Sequence, residues 1–289
     1  MRSSNLHLPQ QTKRALFTLL TAVLVVITML LYNIMHQLQD VQANDDLLKW
    51  TLMILTDSLN NHIVWELILN GLIIFSLAVL LKISYQEVKA RSIWKKYVNS
   101  RREELNHSVI TSFAQRKIRF IILNEPEMTA MTVGFFRPTI VLSTALIERF
   151  NEQELEAIIC HEYYHYKSFH PLQLFMMHLT ADALAFLPVI KQVFRHYQIW
   201  MELLADRYAI KRMGNEIPIA QVLLTMTRNN VSNASLHRAY FANEAINYRL
   251  VQLIEPDQKL DIPLFDWKPM ILSTTILLLI LFIFVYYCI

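Results

Sequence analysis

Residues 157–171 read AIICHEYYHYKSFHP, and the five from His161 to His165 spell H-E-Y-Y-H. On a helix the two histidines stand four residues apart on one face, where both imidazoles reach a single ion. Glu162 lies beside them, placed to take a proton from a water polarised by that ion rather than to bind the ion itself. The helix has a clear start signal upstream. Asn151 can cap it, and Glu154, three residues on, can return the bond and complete a capping box. An ordinary polar helix face is the competing reading, so the motif needs a second element.

That element lies in QIWMELLADRYAIKR, residues 198–212. A catalytic zinc takes three protein ligands and keeps a fourth position open. Glu202 can complete a His2Glu set, and Asp206, one turn later on the same face, can hold a ligand histidine in one tautomer. Otherwise the two acids face solvent and pair with Arg207 or Lys211. Two elements in the right order favour the metal. The expectation is one Zn2+ per chain on His161, His165 and Glu202, with Glu162 as base and Asp206 behind a ligand. His170, His178 and Asp182 either line the site or satisfy each other inside an apolar helix, and the second reading is preferred. His196 has no acidic partner at a useful spacing.

The rest of the chain is strongly apolar. Of 289 residues 54% are hydrophobic, 18% are charged and only 3 are glycine. The apolar residues come in blocks, the pattern of membrane spans plus a folded domain. Three runs of about 20 residues can each cross a roughly 30 Å hydrocarbon layer: 15–36, 63–81 and 270–289. Tyr286 and Tyr287 suit an interfacial belt, and Glu66 inside the second run raises a functional question. A fourth run, PLQLFMMHLTADALAFLPVI at 171–190, cannot cross completely, because His161, His165 and Glu202 must meet at one ion. It is expected to be a buried helix, or to dip into the membrane and return.

Charge bias orients the chain. Arg2, Lys13 and Arg14 precede the first span, and Asp40, Asp45, Asp46 and Asp57 lie between the first two. Lys82, Lys89, Arg91, Lys95, Lys96, Arg101 and Arg102 follow the second. The N-terminus and the long central segment are therefore expected in the cytoplasm, and the C-terminus outside. The first run is too long for a signal-peptide core and is expected to remain as an anchor. The net charge of +3, with no basic stripe interleaved with aromatics, argues against direct nucleic-acid binding. Two cysteines, Cys160 and Cys288, cannot form a disulfide framework, and Cys160 reads as a small buried apolar residue.

Within the central segment, 118–123, 131–135 and 139–142 read as strands. Gly134 hints at a bulge or a close backbone approach. Thr139, Ile140, Val141 and Leu142 are expected to bind an extended substrate as an added strand. The expected fold is an integral membrane, mainly α protein. Residues 1–84 carry an arm and two spans joined by a short acidic extracellular loop. Residues 85–268 form a cytoplasmic α+β gluzincin-like zinc protease domain with a small sheet, and 269–289 form a third transmembrane helix.

The segments VGFFRPTIVLSTAL, LEAIICHEYYHYKSFHP, FLPV, MELLADRYA and NYRLVQLI, followed by a single span, resemble the membrane-bound antirepressor zinc proteases of the BlaR/MecR type. These are the sensor-transducers of bacterial β-lactam resistance and their relatives. The resemblance implies His161, His165 and Glu202 as ligands and Glu162 as base. It also implies a bacterial plasma-membrane enzyme that cuts a cytoplasmic protein, a winged-helix transcriptional repressor, in signal-dependent regulatory proteolysis, with self-cleavage as a further expectation. Two departures stand out. Family members commonly carry Arg-Asp-Pro after the motif, where this chain has Phe169-His170-Pro171. The sensor-transducers continue into an extracellular penicillin-binding domain, whereas this sequence stops at Ile289, so a short member without that sensor is expected. Its signal would come from residues 37–62, a separate sensor protein, self-association or the lipid bilayer. The alternatives are an HtpX-like quality-control protease, which tends to place two hydrophobic segments between the motifs, and a zinc-binding scaffold that cuts nothing. A transport component is disfavoured by the scarcity of intramembrane charge.

Overall fold

The computed structural model describes residues 7–40, 46–61, 63–104, 107–115, 117–230, 236–255 and 260–287. The side chains of Glu66, Tyr286 and Tyr287, and all of Cys288, lie outside the described residues. In chain order, α1 (Gln10–Asp40), α2 (Leu47–Asn61) and α3 (Ile63–Arg101) come first, followed by a short β1 (Arg102–Glu103) and α4 (Ser108–Ala114). Strands β2 (Phe120–Leu123), β3 (Ala130–Val133) and β4 (Thr139–Ser143) lead into α5 (Thr144–Arg149) and α6 (Glu152–Lys167). The chain closes with α7 (His170–Ala183), α8 (Val189–Met213), α9 (Ile217–Asn230), α10 (Leu236–Ile254) and α11 (Trp267–Tyr287). The expected mainly helical fold with a small sheet is what the chain adopts. One difference is α2, a helix inside the segment read as a plain acidic loop.

Packing divides the chain into two compact units. The first comprises Met1–Pro9, Glu87–Met177 and Arg195–Ile262. Its sheet has the order β1-β2-β4-β3, with β2 and β4 parallel and the outer pairs antiparallel. Strand β4 is apolar at consecutive positions because both of its faces are covered. Ile140 and Leu142 pack into the main core with Leu155, Ile158 and Ile159 of α6. Val141 turns the other way, onto Leu123 and Val98.

Helix α6 then follows from its cap. Asn151 Oδ1 accepts from the Glu154 N–H at 2.9 Å, and Glu154 Oε2 accepts from the Asn151 N–H at 3.0 Å, the expected capping box. Gly134 sits in the turn after β3 with φ +96, and a Cβ there would stand 2.7 Å from the Arg137 carbonyl oxygen. The expected close backbone approach is therefore real, and only glycine makes it without strain.

The second unit comprises Gln10–Gln86, His178–Phe194 and Pro263–Ile289. By length and composition, Gln10–Leu38 and Leu67–Arg101 are long and apolar enough to cross a membrane. The apolar stretch of α11, Trp267–Ile283, is shorter. These helices are apolar on both sides. Val26, Ile280 and Ile283 pack inward, while Phe17, Leu20, Ile74, Leu278 and Phe282 point outward and are exposed. Such an outer surface is stable only against an apolar environment.

The run at 171–190 is two helices, not one, broken between Ala183 and Val189. The broken backbone groups find side-chain partners. Ser76 Oγ donates to the Ala183 carbonyl at 2.8 Å, and the Val189 N–H donates to Ser273 Oγ at 3.0 Å. Asn70 exchanges amide hydrogen bonds with Gln37 at 3.1 and 3.4 Å and accepts one from Asn33 at 3.3 Å. The preferred pairing of His178 with Asp182 is not the arrangement found. Asp182 meets Lys191 at 3.6 Å, and His178 lies edge-on to Phe194.

Candidate metal centre

Helix α6 buries three polar residues on the face it turns toward the core. His161, Glu162 and His165 are all buried alongside Ile158 and Ile159. Helix α8 brings Glu202 and the fully buried Asp206 to the same place. Donor atoms of His161, His165 and Glu202 lie within 4.8 Å of one another. His161 Nε2 is 3.2 Å from His165 Nε2 and 3.4 Å from Glu202 Oε2, and His165 Nε2 is 3.6 Å from Glu202 Oε1. Ligand atoms on a tetrahedron with bonds of about 2.0–2.1 Å stand roughly 3.4 Å apart. The three donors are thus spaced to hold one divalent ion.

Electrostatics point the same way. Burial opposes a charge on His161, but its hydrogen bonds to Asp206 and Glu202 outweigh this and lift the imidazole from 6.5 to about 10. Burial likewise opposes the charge of Glu202, yet the His161 hydrogen bond and the positive charge of Arg249 hold it below the usual carboxylate range. The two carboxylates therefore favour positive charge at His161. A metal ligand must offer a lone pair, so an ion at these donors replaces the His161 proton.

The surrounding bonds set the roles available to each residue. His161 Nδ1 lies 2.8 Å from Asp206 Oδ1. Asp206 is in turn gripped by Arg249 of α10, through Nε to Oδ2 at 2.7 Å and Nη2 to Oδ1 at 2.8 Å. Arg249 Nη1 also donates to Glu202 Oε2 at 3.1 Å. Burial opposes ionised Asp206, but the Arg249 charge holds its carboxyl low. On the other side, His165 Nδ1 lies 2.7 Å from His170 Nδ1. Burial pushes His165 down to about 4 and His170 to about 3, so both stay neutral near pH 7. Glu162 is raised by burial, and its Oε2 accepts from Thr132 Oγ1 at 2.8 Å. All of these except Asp206 line a cavity of about 520 Å³, whose apolar wall includes Ile158, Val222, Leu223 and Met226.

Every metal, base and supporting residue expected from the sequence converges here. The strand expected to receive substrate does not fit that role. Thr139, Ile140, Val141 and Leu142 lie in β4, which is paired on both sides by β2 and β3. No edge is left for an added strand, and the three apolar side chains are buried. Among the described residues the edge nearest Glu162 belongs to β3, whose Thr132 bonds to it.

Three residues at the site escaped the sequence reading. Arg249 is 47 residues from Glu202, and no local spacing links them. Thr132 is one strand residue among several. His170 was noted, but as a residue satisfied within an apolar helix. A clue lay just upstream, in that the chain must reverse within Ser168 and Phe169 to start α7. It does so with Phe169 at φ 53, a left-handed conformation that costs a non-glycine residue roughly 1–2 kcal/mol.

A capped helix bearing H-E-x-x-H, a carboxylate supplied by a later helix, and long apolar helices together define a membrane-associated metallopeptidase. Residues 32–253 match the BlaR1 peptidase M56 family, and the chain belongs to that family. The resemblance seen in the sequence is thereby borne out. No curated protein matches the chain.

Proposed function

We propose that the protein is a membrane-anchored zinc endopeptidase that cuts a cytoplasmic protein. The observation that carries this is the placement of three donors 3.2–3.6 Å apart with the buried Glu162 beside them. Two imidazoles and one carboxylate are a donor set that zinc takes in hydrolytic enzymes, with a fourth position left open. Here the three donor residues line the cavity. Held by His161, His165 and Glu202, zinc would supply Lewis acidity and bring the pKa of a water to about 7.

The protein's own groups do the rest. Glu162 takes the proton of the attacking water on a carboxylate oxygen and returns it to the leaving amine nitrogen. Its raised affinity for a proton suits both steps. Thr132 holds the carboxylate in place, and Asp206 keeps the His161 proton on Nδ1, leaving Nε2 as the donor. The free edge of β3 offers backbone groups to an extended peptide. The apolar wall suits an apolar side chain next to the scissile bond.

Charge bias supports an N-terminus and catalytic region in the cytoplasm, with α1, the first part of α3 and α11 as spans and the C-terminus outside. The division into an N-terminal span pair, a protease domain and a final span rests on the same pattern. The serine partners of the break between α7 and α8 support a segment that enters the bilayer and returns, since backbone groups there must be satisfied internally. A transcriptional repressor as substrate, cleaved in response to a signal, rests on the family likeness. The test uses the full chain in detergent beside Glu162→Gln, incubated with candidate repressors and with itself, cleavage being read by mass spectrometry. Products from the wild type alone support the peptidase. A chain that binds zinc yet cuts nothing under any condition supports the scaffold instead.

A further inference from the structure

The two histidines of the motif are backed by different partners. His161 presents Nδ1 to a carboxylate, Asp206, which Arg249 holds from the far side. His165 presents Nδ1 to a second imidazole, with His170 Nδ1 at 2.7 Å. At that distance one proton lies between the two nitrogens, and only one ring can donate it. His165 Nε2 is the atom that meets His161 and Glu202, so it must carry the lone pair. The shared proton then belongs to His165 Nδ1, and His170 accepts it, keeping its own proton on Nε2.

We propose that His170 is the positioning residue of the metal centre, fixing the tautomer and ring plane that leave His165 Nε2 open to the ion. This rests on the reading of His161, His165 and Glu202 as the donor set. The backbone is shaped for the task. Phe169, in its left-handed conformation, reverses the chain between α6 and α7 and returns His170 onto a ring five residues earlier. His170 is buried and wedged edge-on against both His165, at 4.9 Å and 68°, and Tyr164, at 5.4 Å and 70°. Tyr164 in turn packs on Tyr208 of α8. A neutral acceptor draws on the His165 N–H less than a carboxylate would. His165 is therefore the weaker of the two imidazole donors, and the site holds its ion less tightly than the same site with an acid at position 170.

The test measures zinc affinity of the full chain in detergent by competition with a chromophoric chelator, with the cobalt-substituted absorption spectrum as a second readout. His170→Ala should weaken zinc binding about 10- to 100-fold. His170→Asn, which keeps an acceptor, should recover most of that loss, and His170→Asp should bind more tightly than the wild type and shift the cobalt bands. Wild-type affinity in all three, or equal loss in Ala, Asn and Asp, would overturn the proposal. Glu202→Ala separates the two layers of inference. If it retains wild-type affinity, the donor set itself is wrong; if it loses zinc while the position 170 variants do not, only the role of His170 falls.

Discussion

The two compact units bury polar groups for opposite reasons. Among the described residues of the apolar unit, five uncharged polar side chains pack between helices and satisfy backbone or another amide: Ser76 on a carbonyl, Ser273 on an N–H, Asn33, Gln37 and Asn70 on one another. They repair a broken helix and bring helices together. In the other unit ionisable groups gather around two histidines: the buried Glu162 and Asp206 with the partly buried Glu202 and Arg249. Burying charge is costly unless it is paired, and even then hydrophobic residues of similar size often serve stability as well. A cluster of this kind is therefore better explained by chemistry than by folding, and the contrast locates function without any appeal to a pocket.

Substitutions can break or sharpen this contrast. Glu162→Gln should lower peptide hydrolysis by about 10²- to 10⁴-fold while leaving bound zinc unchanged, read by product formation alongside metal analysis. Arg249→Ala should be the most damaging change to stability, about 3–5 kcal/mol, because it removes the guanidinium that pairs with the fully buried Asp206 and leaves that carboxylate only its bond to His161. Thermal unfolding of the detergent-solubilised protein checks it, and a loss below 1 kcal/mol would mean that Asp206 is solvated after all. Gly134→Ala should cost roughly 1–3 kcal/mol, since the new Cβ meets the Arg137 carbonyl in a backbone region reserved for glycine. In the apolar unit Ser76→Ala or Ser273→Ala should each cost only about 0.6–2 kcal/mol. Equal effects from Arg249→Ala and Ser76→Ala would erase the distinction between the two kinds of burial.

Much of the catalytic region was legible because its signals are local. The capping box at Asn151, the i, i+4 spacing of His161 and His165, and the same spacing of Glu202 and Asp206 each fix a face of a helix within a few residues. The three strands also follow from their apolar runs, and Gly134 from its isolation in one of them. What sequence periodicity does not carry is the order of strands. The run at Thr139–Leu142 was expected to receive a substrate as an added strand, yet its apolar residues are buried on both faces and its two edges are already paired. Arg249 was illegible for a related reason, since its partners are fixed by the packing of α10 on distant helices. His170 fell between these cases. Its neighbours in sequence suggested an apolar helix, while the backbone reversal at Phe169 turns it into the site. The need for a shared ion argued against a full crossing by the run at 171–190, but its break into two helices depends on serines more than 80 residues away, as with Val189 and Ser273.

The central claim is that His161, His165 and Glu202 hold one zinc ion per chain. Zinc K-edge X-ray absorption on the purified full chain, beside His161→Ala, tests it most directly. The account predicts one zinc per wild-type chain, with two imidazole nitrogens and a carboxylate oxygen at about 2.0–2.2 Å and loss of that signature in the variant. A wild-type chain that takes up no zinc, or one whose zinc keeps the same surroundings when His161 is removed, would contradict it.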